Sequence, residues 1–211
     1  RFNNGRTSWG FVLDGAGNNS LQEMPAAEIW KAMRAKYPDM DHLLREASFS
    51  SQPGKILHSG RLQRKLDKCF GDGWVAMPHT AGFVDPLFST GIAYSLAGIE
   101  RIVHILSLNR HFDRSLYDRL QEYERAVFEE LDLIDLLVSG CYRATAHFQL
   151  FNAWSMLYFA FTVLHEQRRL KKQAAGMAGQ PDGYFLEADD PRVVKIARDT
   201  YKDLLKITRK K

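Results

Sequence analysis

The residues best suited to chemistry lie in one stretch, Pro78 to Gly91, where prolines, glycines and small polar side chains separate a short apolar run from a helix. Trp74 to Met77 reads as a short strand, bounded by the Gly71-Asp72-Gly73 turn and by Pro78, and a helix is predicted from about Gly91. The first turn of a helix carries N–H groups without intrahelical acceptors and the positive end of the helix dipole. It therefore suits an anionic or electron-rich ligand group. Ala81, Gly82 and the Ser89-Thr90-Gly91 run would let such a group approach the main chain. Pro86 fixes its own φ and stiffens the loop, which favours a preformed site. On the residues alone a second reading stays open, an ordinary strand-to-helix connection in which Ser89 or Thr90 only caps the helix.

Other familiar chemistry is missing from the sequence. Gly15-Ala16-Gly17 lacks the third glycine and the strand-to-helix context of a dinucleotide-binding turn. Ser59-Gly60 and Ser139-Gly140 do not have the form of a nucleophile elbow. His104 and His111 stand two turns apart with no carboxylate or cysteine to complete a metal set. Cys69 and Cys141 form neither a CxxC pair nor a disulfide framework, so reduced, partly buried thiols in a cytoplasmic protein are expected. The net charge of +4 is mild and gathers at Arg168–Lys172 and at the terminal Arg209, Lys210 and Lys211, which fits solvated helix ends better than nucleic-acid binding. The chain opens on Arg1 without a charged-then-apolar leader, so no signal peptide is expected and an upstream region is.

The elements that must position the loop can be read on either side of it. Asn3-Asn4-Gly5 has turn chemistry, and Thr7 to Leu13 alternates as a half-buried strand does, predicting a small N-terminal antiparallel sheet. Pro25 opens a helix carrying Ile29, Trp30 and Met33 that stops at Pro38, and Asp39 is expected to cap a second helix to Ala47. Lys55 to His58 is a candidate strand, and Arg61 to Lys68 shows no clear period. Ile92, Leu96, Ile99, Val103 and Leu106 recur at helical spacing on the helix after the loop. Leu116, Leu120, Tyr123, Val127, Leu131, Ile134 and Val138 do so on a second long helix, with Glu122, Glu129, Glu130 and Asp132 mostly off that face. Phe148 to Leu164 is apolar and aromatic but contains Gln149, Asn152, Ser155 and Thr162. A membrane helix needs about 20 apolar residues, so a buried core helix is expected and no transmembrane segment. After a linker near Gly176 to Gly183, Asp190 and Pro191 predict the cap and first position of a last amphipathic helix.

The string Ala81-Gly82-Phe83-Val84-Asp85-Pro86-Leu87-Phe88-Ser89-Thr90-Gly91-Ile92 resembles the second FAD-contact segment of the tryptophan-halogenase-like flavoproteins, within the FAD-dependent oxidoreductase and monooxygenase superfamily. The opening, Phe2-Asn3-Asn4-Gly5 followed by Thr7-Ser8-Trp9-Gly10-Phe11-Val12, is similar to the hairpin that follows the family's tryptophan-rich strand. Tyr123-Glu124, Ser139-Gly140-Cys141-Tyr142 and the aromatic helix are similar in character to its helical C-terminal region. The resemblance runs from Arg1 to about Leu170.

That resemblance implies the C-terminal part of a glutathione-reductase-like flavoprotein, α+β with a small N-terminal antiparallel sheet and a mostly helical second half. Its implied division is 1–108 for the FAD and substrate domain with the contact loop, 109–175 for a helical region, and 184–211 for a C-terminal helix. It implies FAD as cofactor, with His79, Asp85, Pro86, Thr90, Gly91 and Ile92 around it, the Gly91 and Ile92 amides facing the pyrimidine edge of the ring and Thr90 and Gly91 as donors to a chloride or bromide. It implies halogenation or hydroxylation of a small aromatic or electron-rich substrate, with reduced flavin from a separate reductase, and a catalytic lysine and pyrophosphate-binding turn upstream of Arg1. Trp154, Tyr158 and Phe159 are candidates for the substrate side, although core packing is favoured for each. One departure stands beside the loop: Pro78-His79 occupies the place of the family's usual Gly-Asp. An imidazole there can accept one hydrogen bond from the cofactor but brings no carboxylate charge, or it is a structural residue bonded to the main chain. The competing function is a helical interaction or membrane-surface module that keeps an inherited loop.

Overall fold

The computed structural model describes residues 4–13, 19–49, 55–60, 62–87, 90–109, 113–177 and 183–209. Two compact units divide the chain, residues 1–61 and 62–211.

In the first unit, α1 (Asn19–Gln22) precedes α2 (Ala26–Lys36) and α3 (Pro38–Leu43). Pro25 stands at the start of α2 with φ −56° and ψ 142°, a geometry its ring already favours. Ile29 and Met33, one turn apart, form the buried face of α2. Trp30 packs between Phe11, at 5.3 Å between ring centroids, and Phe49, at 6.0 Å. Pro38 ends α2 and opens α3, but the capping position belongs to Tyr37. Asp39 lies inside the first turn, where its charge still suits the dipole, and the helix stops at Leu43. Neither Thr7–Leu13 nor Lys55–His58 joins a ladder among the described residues, contrary to their alternation. Period-two patterning prepares a strand, yet only a paired backbone makes one.

Strand pairing occurs instead in the second unit, immediately before the loop. There β1 (Arg64–Lys65) pairs antiparallel with β4 (Gly82–Phe83), and β2 (Phe70–Gly71) with β3 (Trp74–Val75). The Asp72-Gly73 turn joins the latter pair, with Gly73 at φ 78°, a region that favours glycine. Between β3 and β4 lies a single turn of helix, α4 (Pro78–Ala81), where the sequence suggested open loop. Pro78 takes its first position, a place where the missing N–H costs nothing.

The remainder is helical: α5 (Thr90–Leu108), α6 (Arg114–Ala144), α7 (Phe148–Ala174) and α8 (Pro191–Arg209). Asp113 caps α6 by accepting the Leu116 N–H at 3.0 Å, and Asp190 accepts the Arg192 N–H at 2.9 Å at the start of α8. The central helix is α6, with α5, α7 and α8 all packed on it. Its expected face is buried from Leu116 to Val138, and a second stripe through Ala126, Glu130, Leu133 and Leu137 is buried too. Gly140 lets Trp154 lie against α6, since a Cβ there would come within 2.0 Å of the indole, whose Nε1 donates to the Leu137 carbonyl at 2.7 Å.

Two apolar helices bury only part of their apolar surface. On α7, Trp154, Tyr158 and Phe161 are buried while Phe148, Met156, Phe159 and Val163 are exposed, so it is an amphipathic rather than a wholly buried helix. On α5, the buried residues are Thr90, Tyr94, Gly98, Arg101, Ile102 and Ile105, and the stripe Ile92, Leu96, Ile99, Val103 and Leu106 faces outward. Thr90–Leu108 is also the one described helix long and apolar enough to cross a membrane by length and composition. Its packing on α4 and α6, with charged Glu100 and Arg101 mid-helix, fits a helix of a globular body.

Candidate functional site

Two glycines fix the loop against the helices. At Gly98 of α5 a Cβ would stand 2.0 Å from Pro78 Cγ, so only glycine lets α4 seat on α5. At Gly82 a Cβ would stand 2.1 Å from Leu131 Cδ2, so β4 likewise lies directly on α6. The result is that α4, β4 and the start of α5 meet around one cavity of about 610 Å³. His79, Asp85, Pro86, Thr90, Gly91 and Ile92 all line it, together with Phe83, Val84, Leu96 and Ile134. Of the loop residues, Phe88 and Ser89 lie outside the described residues, as do His111 and most of the expected Gly176–Gly183 linker.

His79 leans against the helix start. Its Cε1 and Nδ1 would be 2.8 and 3.0 Å from a Cβ on Gly91, so glycine is what allows the ring to lie there. The ring meets Phe83 edge-on at 5.0 Å, and the His79 carbonyl accepts from Arg64 Nη2 at 2.8 Å. Arg64 also stands 5.7 Å over the Phe83 ring, tying β1 to the loop.

Asp85 has both carboxylate oxygens engaged. Oδ1 accepts the Leu87 N–H at 2.8 Å, closing a local turn, and Oδ2 accepts the Tyr142 hydroxyl at 2.9 Å. Burial and the Asp85 carboxylate push the Tyr142 phenol up to about 12, keeping it a donor at neutral pH. Thr90, 5% exposed, shares a hydrogen bond between its Oγ1 and the Tyr158 hydroxyl, and burial raises that phenol as well. Tyr94, one turn on, donates to the Val127 carbonyl at 2.7 Å. The start of α5 is thus tied to α7 through Thr90 and to α6 through Tyr94, and the N–H groups of a helix's first turn have no intrahelical acceptor. Asp85 holds the loop in shape, and Gly91 and Ile92 line the cavity at the helix start.

The profile of the tryptophan halogenase family matches residues 23–161. The chain belongs to that family. Among its relatives is the monodechloroaminopyrrolnitrin halogenase PrnC of Pseudomonas fluorescens, 31% identical over 141 residues that make up 66% of this chain and 25% of PrnC. Another is the tetracycline 7-halogenase of Kitasatospora aureofaciens, 24% identical over 79% of this chain and 29% of that enzyme. The chain thus spans roughly a quarter of the length of these curated relatives. The fold is that of halogenase PltM, whose crystal structure with phloroglucinol and FAD matches at a TM-score of 0.72, with 22% identity, over 92% of this chain and 41% of PltM.

Against this halogenase-family background, three buried features were missed by reading one helical face at a time. Glu130, expected off the packed face of α6, is fully buried and forms an ion pair with Arg101 of α5. Burial works against the Arg101 charge, but the Glu130 carboxylate outweighs it and the guanidinium stays charged. Arg101 also donates to the Gly183 carbonyl at 3.0 Å, and Glu130 accepts the Phe185 N–H. Third, Leu186 and Glu187 adopt φ of 57° and 62°, and Glu187 is buried against His165 and Arg168. Of the substrate-side candidates, Trp154 is core, Tyr158 bonds Thr90, Phe159 is exposed, and none lines the cavity. Cys69 and Cys141 are free and buried.

Proposed function

We propose that this chain is part of an FAD-dependent halogenase or monooxygenase-type oxidoreductase that acts on a small aromatic or electron-rich substrate, and that it contributes the second flavin contact. The observation that carries the reading is the convergence of His79, Asp85, Pro86, Thr90, Gly91 and Ile92 on one cavity at the start of α5. Family membership and the PltM structure containing FAD and phloroglucinol support it. The larger protein would have a glutathione-reductase-like flavin fold, with 1–108 on the flavin and substrate side, 109–175 as helical support and 184–211 as the closing helix. Reduced thiols fit a cytoplasmic protein.

The residues present fit the group. Glycine at 91 lets the His79 ring lie against the helix start, and Phe83, Val84, Pro86 and Leu96 give apolar walls. When bound and reduced by a separate flavin reductase, FAD would supply the electrons for activating oxygen. The amides of Gly91 and Ile92 would hold the electron-rich pyrimidine edge, being fixed donors that need no rearrangement as negative charge gathers there. Thr90 and Gly91 would hold a halide through main-chain N–H groups, since the Thr90 hydroxyl is occupied by Tyr158. Asp85, through Leu87 and Tyr142, would keep the loop closed. His79 would contact the cofactor edge from beside Gly91, without the charge of the family's usual carboxylate.

The test is to purify the whole protein that carries this chain and follow flavin absorbance during FAD titration, with and without Gly91→Val. Saturable binding that the variant loses is the expected result. No flavin uptake by the folded protein would overturn the reading. Turnover in chloride against bromide then separates halogenation, where product mass changes, from hydroxylation, where it does not.

A further inference from the structure

Arg64 of β1 stands outside the described lining of the cavity at the start of α5, yet its side chain ends on two residues of that lining. The guanidinium stands 5.7 Å over the ring of Phe83, its register partner across the β1–β4 pair, and Nη2 donates to the His79 carbonyl at 2.8 Å. Phe83 in turn meets the His79 imidazole edge-on at 5.0 Å. Arg64, Phe83 and His79 therefore close a ring of three contacts, and the imidazole within that ring also lies against Gly91.

Without Arg64 this imidazole would be held loosely. His79 is exposed, and α4 is a single turn, Pro78–Ala81, too short to supply a donor to the His79 carbonyl from within. Arg64 supplies that donor from a strand distant in sequence. Arginine suits both tasks, because its planar fork can donate to an oxygen while its face covers an aromatic ring. Arg64 is itself exposed, and an exposed cation contributes little to folding. The placing of His79 is the larger consequence of its contacts.

We propose that Arg64 is a positioning residue for this cavity: by holding the His79 carbonyl and backing the Phe83 ring, it fixes where the imidazole stands beside Gly91. In the whole protein it thereby sets the edge against which the cofactor lies, a consequence that rests on the proposed flavin contact. The clamp on His79 does not rest on it.

The test uses the whole protein that carries this chain, labelled at the histidine ring carbons for magnetic resonance, with Arg64→Met and His79→Ala made singly and together. His79→Ala also identifies the His79 signal. Arg64→Met keeps an apolar stem and removes the charge and the donors. It should shift the His79 ring signal in the absence of FAD, weaken FAD uptake several-fold and leave the urea unfolding midpoint unchanged. In the His79→Ala background it should weaken uptake no further, since residues that act as one unit are not additive. A shifted signal without weaker uptake, weaker uptake without a shifted signal, or additive effects of the two substitutions would overturn the proposal. So would a loss of uptake that follows a lowered unfolding midpoint, which would make Arg64 a strand-pairing residue only. In a protein that takes up no FAD, a shifted His79 signal would uphold the clamp and sink the flavin reading. FAD uptake indifferent to Arg64→Met, with an unmoved signal, would do the reverse.

Discussion

At Asp85 the two carboxylate oxygens serve the loop before they could serve any ligand, one through the Leu87 N–H and one through the Tyr142 hydroxyl. The latter contact links the loop to the far end of α6, and it is the one a single substitution can remove. Tyr142→Phe should cost about 0.5–1.5 kcal/mol in urea unfolding, the usual range for one hydrogen bond, and should weaken flavin uptake if the loop is a flavin contact. The contact also sets a pH dependence. The folded phenol is raised from 10.0 to about 12, so the proton is held more tightly in the folded state. Its contribution is therefore complete below pH 10 and is lost as pH rises from there towards 12. Unfolding curves of the wild type and Tyr142→Phe should differ at neutral pH and converge at the alkaline end. Parallel curves throughout would mean that the hydroxyl contributes nothing. The link from Asp85 to Tyr142, a partner 57 positions away, is one that no local pattern could identify.

Between elements, the deepest polar contact is the Arg101–Glu130 pair joining α5 to α6, with Arg101 reaching Gly183 and Glu130 reaching the Phe185 N–H. This is what holds the strained Leu186-Glu187 turn against the helices, since positive φ at such residues persists only where neighbours over-determine it. Glu130→Gln leaves Arg101 buried without its counter-charge and should destabilise by about 3–5 kcal/mol. The double replacement Arg101→Met with Glu130→Leu should recover much of that in denaturant unfolding, because removing both charges leaves neither stranded. A double variant no more stable than the single one would show that the Gly183 and Phe185 bonds dominate. The helices themselves were legible, because α5, α6 and α8 carry periodic apolar residues, and α6 and α8 also carry aspartate caps, all of which depend only on local sequence. Glu130 was not, since a glutamate beside Glu129 reads as solvated and becomes interior only through Arg101 and Phe185. Strand placement failed at Thr7–Leu13 for a related reason. Alternation is local, but a ladder depends on a partner backbone, and the described partners join Arg64–Lys65 to Gly82–Phe83. The site was legible as a string, Ala81 to Ile92, whereas its fixation by Gly82 and Gly98 emerges only when β4 and α4 meet α6 and α5.

Across the whole molecule, the most consequential surface is the outward stripe of α5. Ile92, Leu96, Ile99, Val103 and Leu106 are 71%, 58%, 41%, 60% and 48% exposed, and they follow the four-three spacing of a helix packing seam. Such spacing normally marks a buried face, yet here it faces water. The helix has in fact two apolar faces, and α4 and α6 take the one through Tyr94, Ile102 and Ile105. A contiguous apolar seam left to water drives association. Produced by itself, the 211-residue chain should therefore self-associate, read by size-exclusion chromatography with light scattering. Leu96→Gln with Val103→Gln should shift it towards monomer without loss of helical circular dichroism, since both side chains point away from the packed face. Persistent monomer in the wild type would mean that the seam is covered within the chain itself. Association that survives both substitutions would move the sticky surface to the exposed Met156, Phe159 and Val163 of α7.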